Sequence, residues 1–200
     1  MDRESRPLIL AMKGHPGSGK STVARAVASA LRFPLLDKDD VRDPTFTVQL
    51  HLDGATSSAS ALLNDLSYAV LWRLAETQLH LGLSVIIDSP LSRRIHLDSL
   101  LSLASAVGAR VLVVECRPTD EAEWRLRVEA RRNASGGEGW HKPATWEDLR
   151  NLVEGYEGQS EYDLGGVSRL VIDTTGGDGT VEDMVAKVRD FVRSNCGIDD

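Results

Sequence analysis

The chain has 200 residues, of which 42% are hydrophobic, 26% charged and 5% aromatic, a composition typical of globular proteins and not of disordered or fibrous chains. Its 23 basic and 30 acidic residues give a net charge of −7, which disfavours a protein that coats nucleic acid or anionic membrane through bulk charge. This net charge does not exclude a local basic pocket that binds phosphate.

Short apolar runs alternate along the chain with stretches of helical hydrophobic spacing. Strands are predicted at residues 8–12, 35–36, 85–87, 111–114 and 170–172. A linker rich in turn formers is predicted around Pro44 and Asp53-Gly54. Helices are predicted at 20–31, from about 63 to a stop at Gly82, at about 93–107, from a Thr119 cap to 131–132, at 146–155 and at 181–192. In the longest of them, the predicted apolar stripe consists of Leu63, Leu66, Val70 and Leu74.

These elements predict one domain, residues 1–200, with an α/β fold in which a parallel sheet carries helices on both faces. Ligands of such sheets bind at the carboxyl ends of the strands. A single polar residue there is often only a solvated strand end, but several on one edge favour a ligand site. The polar residues that follow predicted strands are Lys13, Asp37, Asp88 and Asp173.

Residues 1–7 and the two cysteines indicate the cellular compartment in which we expect the protein. Residues 1–7 lack the apolar core of a signal peptide, and no apolar run reaches the length of a membrane span. Cys116 and Cys196 lie far apart without a partner motif, so free thiols in a reducing compartment are favoured over a disulfide. We therefore expect a cytoplasmic protein with no membrane partner.

Residues 14–21 match G-x-x-x-x-G-K-[ST] between a predicted strand and a predicted helix, the context that this phosphate-binding motif requires. The glycines let backbone N–H groups wrap phosphates, and the following helix adds its positive dipole end. Lys20 is predicted to reach the β- and γ-phosphates of ATP, and the Ser21 hydroxyl to ligate Mg²⁺. The predicted nucleotide-binding residues are Gly14, His15, Pro16, Gly17, Ser18, Gly19, Lys20, Ser21 and Thr22.

This motif leaves open whether the γ-phosphoryl group passes to water or to a second substrate. A hydroxyl acceptor needs a carboxylate near its proton. Asp39 or Asp40 is predicted as this base, with Asp37 as a further alternative, although an aspartate here can instead cap the next helix. Arg42 can clamp the acceptor or neutralise charge on the transferred group. Asp88 ends the third strand like a Walker B aspartate and is predicted to hold Mg²⁺; contact with the acceptor or a purely structural strand end are the alternatives.

Together, the phosphate loop, Asp39-Asp40-Val41-Arg42 and Val85-Ile86-Ile87-Asp88 resemble the P-loop kinases that include zeta toxins, chloramphenicol phosphotransferase and the 5′-kinase domain of polynucleotide kinases. The resemblance extends from Leu8 to about Val192. It implies a three-layer sandwich with a five-stranded parallel sheet of the adenylate-kinase type and a mobile lid. It also implies that Asp39 is the general base and that Arg42 contacts the active site.

The stretch from Trp124 to Arg132 resembles the lid helix of these kinases, within a lid at about residues 124–145 whose tip is residues 133–139. Arg127 and Arg131 are four residues apart, share a helix face and are predicted to stabilise the transferring phosphates as catalytic residues. The alternative is an ordinary charged helix, in which Glu123 pairs with Arg127 and Arg125 with Glu129.

The acceptor-binding segment is placed at about residues 39–75. His51, Asp65, Tyr68 and Trp72 are candidates within it, although core packing is the favoured interpretation for Tyr68 and Trp72. Arg93 and Arg94 are further candidates that can equally be solvated surface. His141 and Lys142 can contact phosphate or acceptor, although a surface loop is favoured for them.

These features predict an ATP- and Mg²⁺-dependent phosphotransferase that acts on a hydroxyl of a small metabolite such as a nucleoside or sugar, as a monomer or homodimer. The alternatives are a polynucleotide 5′-hydroxyl kinase, which the negative charge disfavours, and a nucleotide-binding ATPase or switch without an acceptor.

Overall fold

A computed structural model of the chain describes residues 6–52, 58–131 and 140–196. The described residues form the strands β1 (Leu8–Lys13), β2 (Leu35–Asp37), β3 (Val85–Asp88), β4 (Arg110–Arg117) and β5 (Arg169–Asp173). All pairings are parallel, in the order β2-β3-β1-β4-β5. This confirms the predicted five-stranded parallel sheet and places β1, which precedes the phosphate loop, at its centre.

The helices of the described residues are α1 (Lys20–Leu31), α2 (Lys38–Arg42), α3 (Phe46–Leu52), α4 (Ala59–His80), α5 (Arg94–Val107), α6 (Glu121–Arg131), α7 (Trp146–Glu154) and α8 (Val181–Cys196). A 3-10 turn, Asp43–Thr45, joins α2 to α3. The prediction of a linker is therefore wrong over residues 38–52, because these short helices depend on packing against α4 rather than on local periodicity. The part of that linker at Asp53-Gly54 lies outside the described residues. Nowhere in the described ranges is a helix both long and apolar enough to span a membrane.

Strand β1 separates two apolar cores. It is buried along its whole length, as its continuous apolar run predicts. Ile9 and Ala11 pack with α4 and α5 on one face, whereas Leu8, Leu10 and Met12 pack with α1 and α8 on the other. The sheet between these two helical layers gives the predicted three-layer sandwich.

Helix α4 buries a different face from the one that its leucine spacing predicts. Leu63 and Leu71 are buried, whereas Leu66 is 51% exposed and Leu74 is 44% exposed. Leucines occur all round this helix, so spacing alone does not select the face that meets the sheet. The stop at Gly82 is confirmed, since α4 ends at His80.

The residue that caps α6 differs from the predicted one. Asp120, not Thr119, caps α6, because its Oδ1 accepts hydrogen bonds from the N–H groups of Ala122 (2.9 Å) and Glu123 (3.1 Å).

Cys116 and Cys196 are free thiols, which agrees with the prediction against a disulfide. Burial raises the pKa of the Cys116 thiol to about 12, so it is not a reactive thiolate at neutral pH.

Candidate active site

A cavity of about 280 Å³ lies at the carboxyl ends of the central strands, where a parallel sheet is expected to bind its ligands. Residues 15–21 form one wall. The other lining residues come from the start of α2, one face of α4, parts of residues 88–96, residues 141–143 and the end of α7. Residues that are distant in sequence therefore share one small space with the phosphate loop.

The phosphate loop has the conformation that the motif predicts. It runs from the end of β1 to Lys20, the first residue of α1, and Ser18 N–H closes it by donating to the His15 carbonyl (3.2 Å). Of the nine predicted nucleotide-binding residues, all but Gly14 and Thr22 line the cavity. Gly14 N–H donates to the Pro90 carbonyl (3.2 Å), and Thr22 is exposed in the first turn of α1.

Contacts from distant elements brace this loop, and sequence reasoning did not find them. Trp124 of α6 donates its indole N–H to the Pro16 carbonyl (3.0 Å). Gly17 has a φ of 80°, and a Cβ there would lie 2.6 Å from Val128 Cγ2, so only glycine fits beneath α6. From β5, the Thr174 hydroxyl donates to the Ser18 carbonyl (2.6 Å). These contacts hold the loop in shape without a nucleotide.

His15 connects the phosphate loop to two aromatic residues. Its ring stacks on Trp124 with centroids 6.2 Å apart and on Tyr156 with centroids 6.0 Å apart. Burial and the nearby Lys13 charge lower the pKa of His15, so the imidazole is neutral at pH 7. Its contribution to the site is therefore packing rather than charge.

Lys20, Ser21 and Asp88 form the part of the cavity that suits a metal ion and phosphate. Lys20 Nζ forms an ion pair with Asp88 Oδ1, and Asp88 is fully buried. Its other oxygen, Oδ2, has no hydrogen-bond partner among the described residues, which is costly unless a ligand supplies one. A hydroxyl and a free carboxylate oxygen are the donors that Mg²⁺ prefers, so these residues fit the ion. The described residues contain no group of three or more His, Cys, Asp or Glu side chains arranged to hold a metal, so phosphate and water would complete its shell.

The three aspartates considered as the base occupy different environments. Asp37 caps α2, since its Oδ1 accepts from Asp39 N–H (2.9 Å). Burial and the neighbouring Asp88 charge raise the pKa of Asp37 to about 6. Asp40 is exposed, and only Asp39 of the three lines the cavity.

Asp39 is surrounded by cationic and hydrogen-bonding groups. Its Oδ1 lies 3.1 Å from His141 Nε2 and 3.2 Å from Lys38 Nζ, and its Oδ2 lies 2.6 Å from Lys142 Nζ. Burial opposes ionisation, but the His141 hydrogen bond and the two lysine charges outweigh it and hold the pKa of Asp39 well below its usual range. Asp39 is therefore a carboxylate at neutral pH.

Arg42 lies behind the cavity wall rather than in it. It is 1% exposed, and its guanidinium donates to Thr45 Oγ1 (2.5 Å), Gln49 Oε1 (2.7 Å) and Ser60 Oγ (3.2 Å). Its Cζ also lies 4.4 Å from the centre of the Trp140 ring. In this structure Arg42 ties α2 to α3 and α4, which fixes the helix that carries Asp39.

The predicted lid arginines are only partly described. Arg127 does not line the cavity and donates from Nε to Glu123 Oε1 (2.8 Å). Arg125 likewise pairs with Glu129 (2.9 Å), so both pairs expected of an ordinary charged helix are present. The Arg131 side chain and the predicted lid tip, residues 133–139, lie outside the described part of the chain, as does Arg132.

The acceptor side of the cavity contains one of the four aromatic and polar residues predicted from the segment 39–75. Tyr68 lines it, whereas Trp72 packs behind Tyr68 (centroids 5.6 Å apart). His51 is exposed on α3 with its Nδ1 2.7 Å from the Thr47 carbonyl oxygen, and Asp65 is exposed on α4. The cavity residues that sequence reasoning missed there are Asn64, Ser92, His96, Leu152 and Tyr156.

Two of the polar strand ends have structural partners instead of facing the cavity. Buried Lys13 pairs with buried Glu115 of β4 (3.1 Å). Asp173 accepts hydrogen bonds from the Thr119 hydroxyl (2.6 Å) and the Thr175 hydroxyl (2.7 Å). Asp88 is the strand-end carboxylate that lines the cavity.

Comparison with known proteins places this site in a family. Residues 9–155 match the family described as an AAA domain. The chain belongs to this AAA domain family. The matched range includes the phosphate loop and all the cavity walls except Tyr156. A search of curated protein sequences finds no significant match.

Solved structures share the fold of this AAA domain at low sequence identity. A protein from Chloroflexus aurantiacus has a TM-score of 0.69 and 22% identity, over 92% of this chain and 98% of that one. A gluconokinase from Sinorhizobium meliloti has a TM-score of 0.60 and 18% identity, over 96% of this chain and 95% of that one. A shikimate kinase from Acinetobacter baumannii, in complex with shikimate, has a TM-score of 0.61 and 17% identity, over 96% of each chain.

Proposed function

We propose that the protein is an ATP- and Mg²⁺-dependent kinase that transfers the γ-phosphoryl group to a hydroxyl of a small metabolite. The observation that carries this proposal is that Asp39 lines the same cavity as Lys20 and Ser21 of the phosphate loop. A protein that only binds nucleotide as a switch needs no carboxylate to orient an acceptor hydroxyl. The fold shared with a gluconokinase and a shikimate kinase supports the same reaction class.

Each part of the cavity has a task in this reaction. The loop amides and Lys20 hold the β- and γ-phosphates, and Ser21 and Asp88 would hold Mg²⁺, which neutralises phosphate charge when bound. The acceptor oxygen forms a bond to the γ-phosphorus while the bond to the β–γ bridging oxygen breaks and ADP leaves. The proton of the acceptor hydroxyl passes to Asp39.

Asp39 retains room for such a hydroxyl. A carboxylate offers about four lone-pair sites, and His141, Lys38 and Lys142 occupy three of them. Its low pKa makes it a weak base, which suits a loose transition state in which the acceptor proton leaves late. Orientation of the hydroxyl is therefore its main contribution.

The size of the cavity favours a small acceptor over a nucleic-acid strand. Its volume of about 280 Å³ is at the lower end of the range for small-molecule sites.

We further propose that α6 and residues 140–145 belong to a lid, and that the Asp39-Asp40-Val41-Arg42 motif relates the chain to the zeta-toxin group. The contact of Lys142 with Asp39 supports a lid that reaches the acceptor side.

The test combines a search for the acceptor with a matched pair of variants. Protein, Mg²⁺ and γ-labelled ATP are incubated with a deproteinised metabolite extract, and label is expected in a phosphorylated small molecule. Asp39→Asn should lower this transfer by about 10²-fold or more while ATP-analogue affinity is retained. Asp40→Asn, which changes an exposed neighbour, should behave as wild type. Label found only in free phosphate, or full transfer by Asp39→Asn, would contradict the proposal.

A further inference from the structure

The charged groups around the cavity are not balanced. Lys20 pairs with Asp88, and Lys38 and Lys142 share the single carboxylate of Asp39. Arg93 also lines the cavity and forms no ion pair with any carboxylate in residues 6–52, 58–131 and 140–196. Four cationic side chains therefore line the cavity with two carboxylates, and within the described residues the surplus positive charge lies at Arg93.

Arg93 lies within a cluster of groups suited to a small oxyanion. It immediately precedes α5, on which His96 also lines the cavity. The His96 ring stacks on Tyr68 with centroids 3.9 Å apart, and its Nδ1 is buried without a hydrogen-bond partner among the described residues. A buried ring nitrogen without a partner is costly, and a ligand that reaches Arg93 can satisfy it.

The neighbouring arginine shows that this arrangement is specific to Arg93. Arg94 donates to Asp98 Oδ1 (2.7 Å) and to the Asp163 carbonyl (2.6 Å), and it does not line the cavity. Its charge is already matched on the protein surface. Among the described residues Arg93 has neither kind of partner, so a bound anionic ligand would be its counter-ion.

We propose that the acceptor is a small hydroxy compound that carries its own carboxylate or phosphate group, bound by Arg93 and His96 while its hydroxyl faces Asp39. The inference rests on the proposed kinase function and names its substrate class. Two of the cavity lysines already pair with Asp39, and Lys20 with the loop amides would bind the phosphates of ATP. An anionic group on the acceptor would therefore pair with Arg93. Arg93 is exposed to solvent and lines the cavity, so a carboxylate or phosphate group on the acceptor would supply the counter-ion that a neutral acceptor lacks.

The class of acceptor can be tested before its identity is known. The metabolite extract is separated on an anion-exchange resin into a retained pool and a neutral flow-through pool, and each is offered to the protein with Mg²⁺ and γ-labelled ATP. We expect label transfer into the retained pool. Prior phosphatase treatment of that pool then distinguishes the two sources of charge, since it removes a phosphate-bearing acceptor and spares a carboxylate.

Variants of Arg93 test its role in binding the acceptor. With the retained pool, Arg93→Ala should raise the acceptor KM by about 10- to 100-fold, the loss expected for a charge-assisted hydrogen bond, with little change in kcat. Arg93→Lys should recover part of this loss, and Arg94→Ala should match wild type. Transfer only into the flow-through pool, or an unchanged KM in Arg93→Ala, would overturn the inference and leave the kinase proposal standing. Release of free phosphate alone with both pools would overturn the kinase proposal and the inference with it.

Discussion

Replacement of Arg42 separates a structural role from a catalytic one. The side chain is 1% exposed, donates hydrogen bonds to Thr45, Gln49 and Ser60 among the described residues, and stacks on Trp140. Arg42→Met removes these interactions and keeps an apolar stem of similar length. The hydrogen bonds contribute about 1 kcal/mol each and the stacking about 1 kcal/mol.

The net cost is smaller than this sum because the variant no longer buries a charge. Release from that desolvation offsets part of the loss, so we expect the free energy of unfolding to fall by about 3 kcal/mol. For a chain of this size, that loss corresponds to about 6 to 12 °C in melting temperature.

The assay is urea denaturation followed by far-UV circular dichroism, because Trp140 fluorescence would report on the mutation itself. Arg73→Met is the matched control, since the Arg73 side chain is 82% exposed and pairs only at the surface with Glu76. That control should change stability by less than about 0.5 kcal/mol. The structural role of Arg42 is refuted if Arg42→Met unfolds at the wild-type urea concentration while its kcat falls by about 10²-fold.

Three further predictions concern the phosphate loop, pH and the metal. Gly17→Val should weaken binding of an ATP analogue by about 10-fold or more, because its side chain would meet Val128; Gly158→Val, at a similar φ of 75° in open space, should not, and equal binding by both would refute close packing as the cause. Burial lowers the pKa of His96 from 6.5 to about 4 in the folded protein. Between these two pH values the unfolded chain binds a proton at His96 that the folded protein does not, so the free energy of unfolding falls as pH falls from about 6.5 to about 4. In His96→Phe, the urea midpoint should change less with pH between pH 7 and 4.5 than in the wild type. The same pH dependence in both proteins would contradict this. Asp88→Asn should raise the Mg²⁺ concentration needed for half-maximal analogue binding by at least about 10-fold, and an unchanged requirement would argue against Asp88 as a ligand.

Local patterns in the sequence determined the order of strands and helices and the phosphate loop. Glycine spacing, a lysine and a hydroxyl residue suffice to predict a phosphate cradle, because its ligands are mostly backbone N–H groups of one continuous segment. The apolar run of β1 predicts a strand buried on both faces for a similarly local reason. Asp88 ends β3 and Asp39 lies two residues after the end of β2, so the order of elements places both at the ligand-binding edge.

Only the tertiary structure decided which groups surround those residues. Trp124 is 108 positions from the carbonyl that it contacts, and His141 is 102 positions from Asp39, so no local spacing records either pair. Arg42 has the sequence context of a substrate-binding residue, yet it is buried among α2, α3 and α4. The composition shows a net charge of −7, yet the fold places Arg93 in the cavity wall without an ion pair among the described residues, because side-chain pairing and not composition sets the local potential.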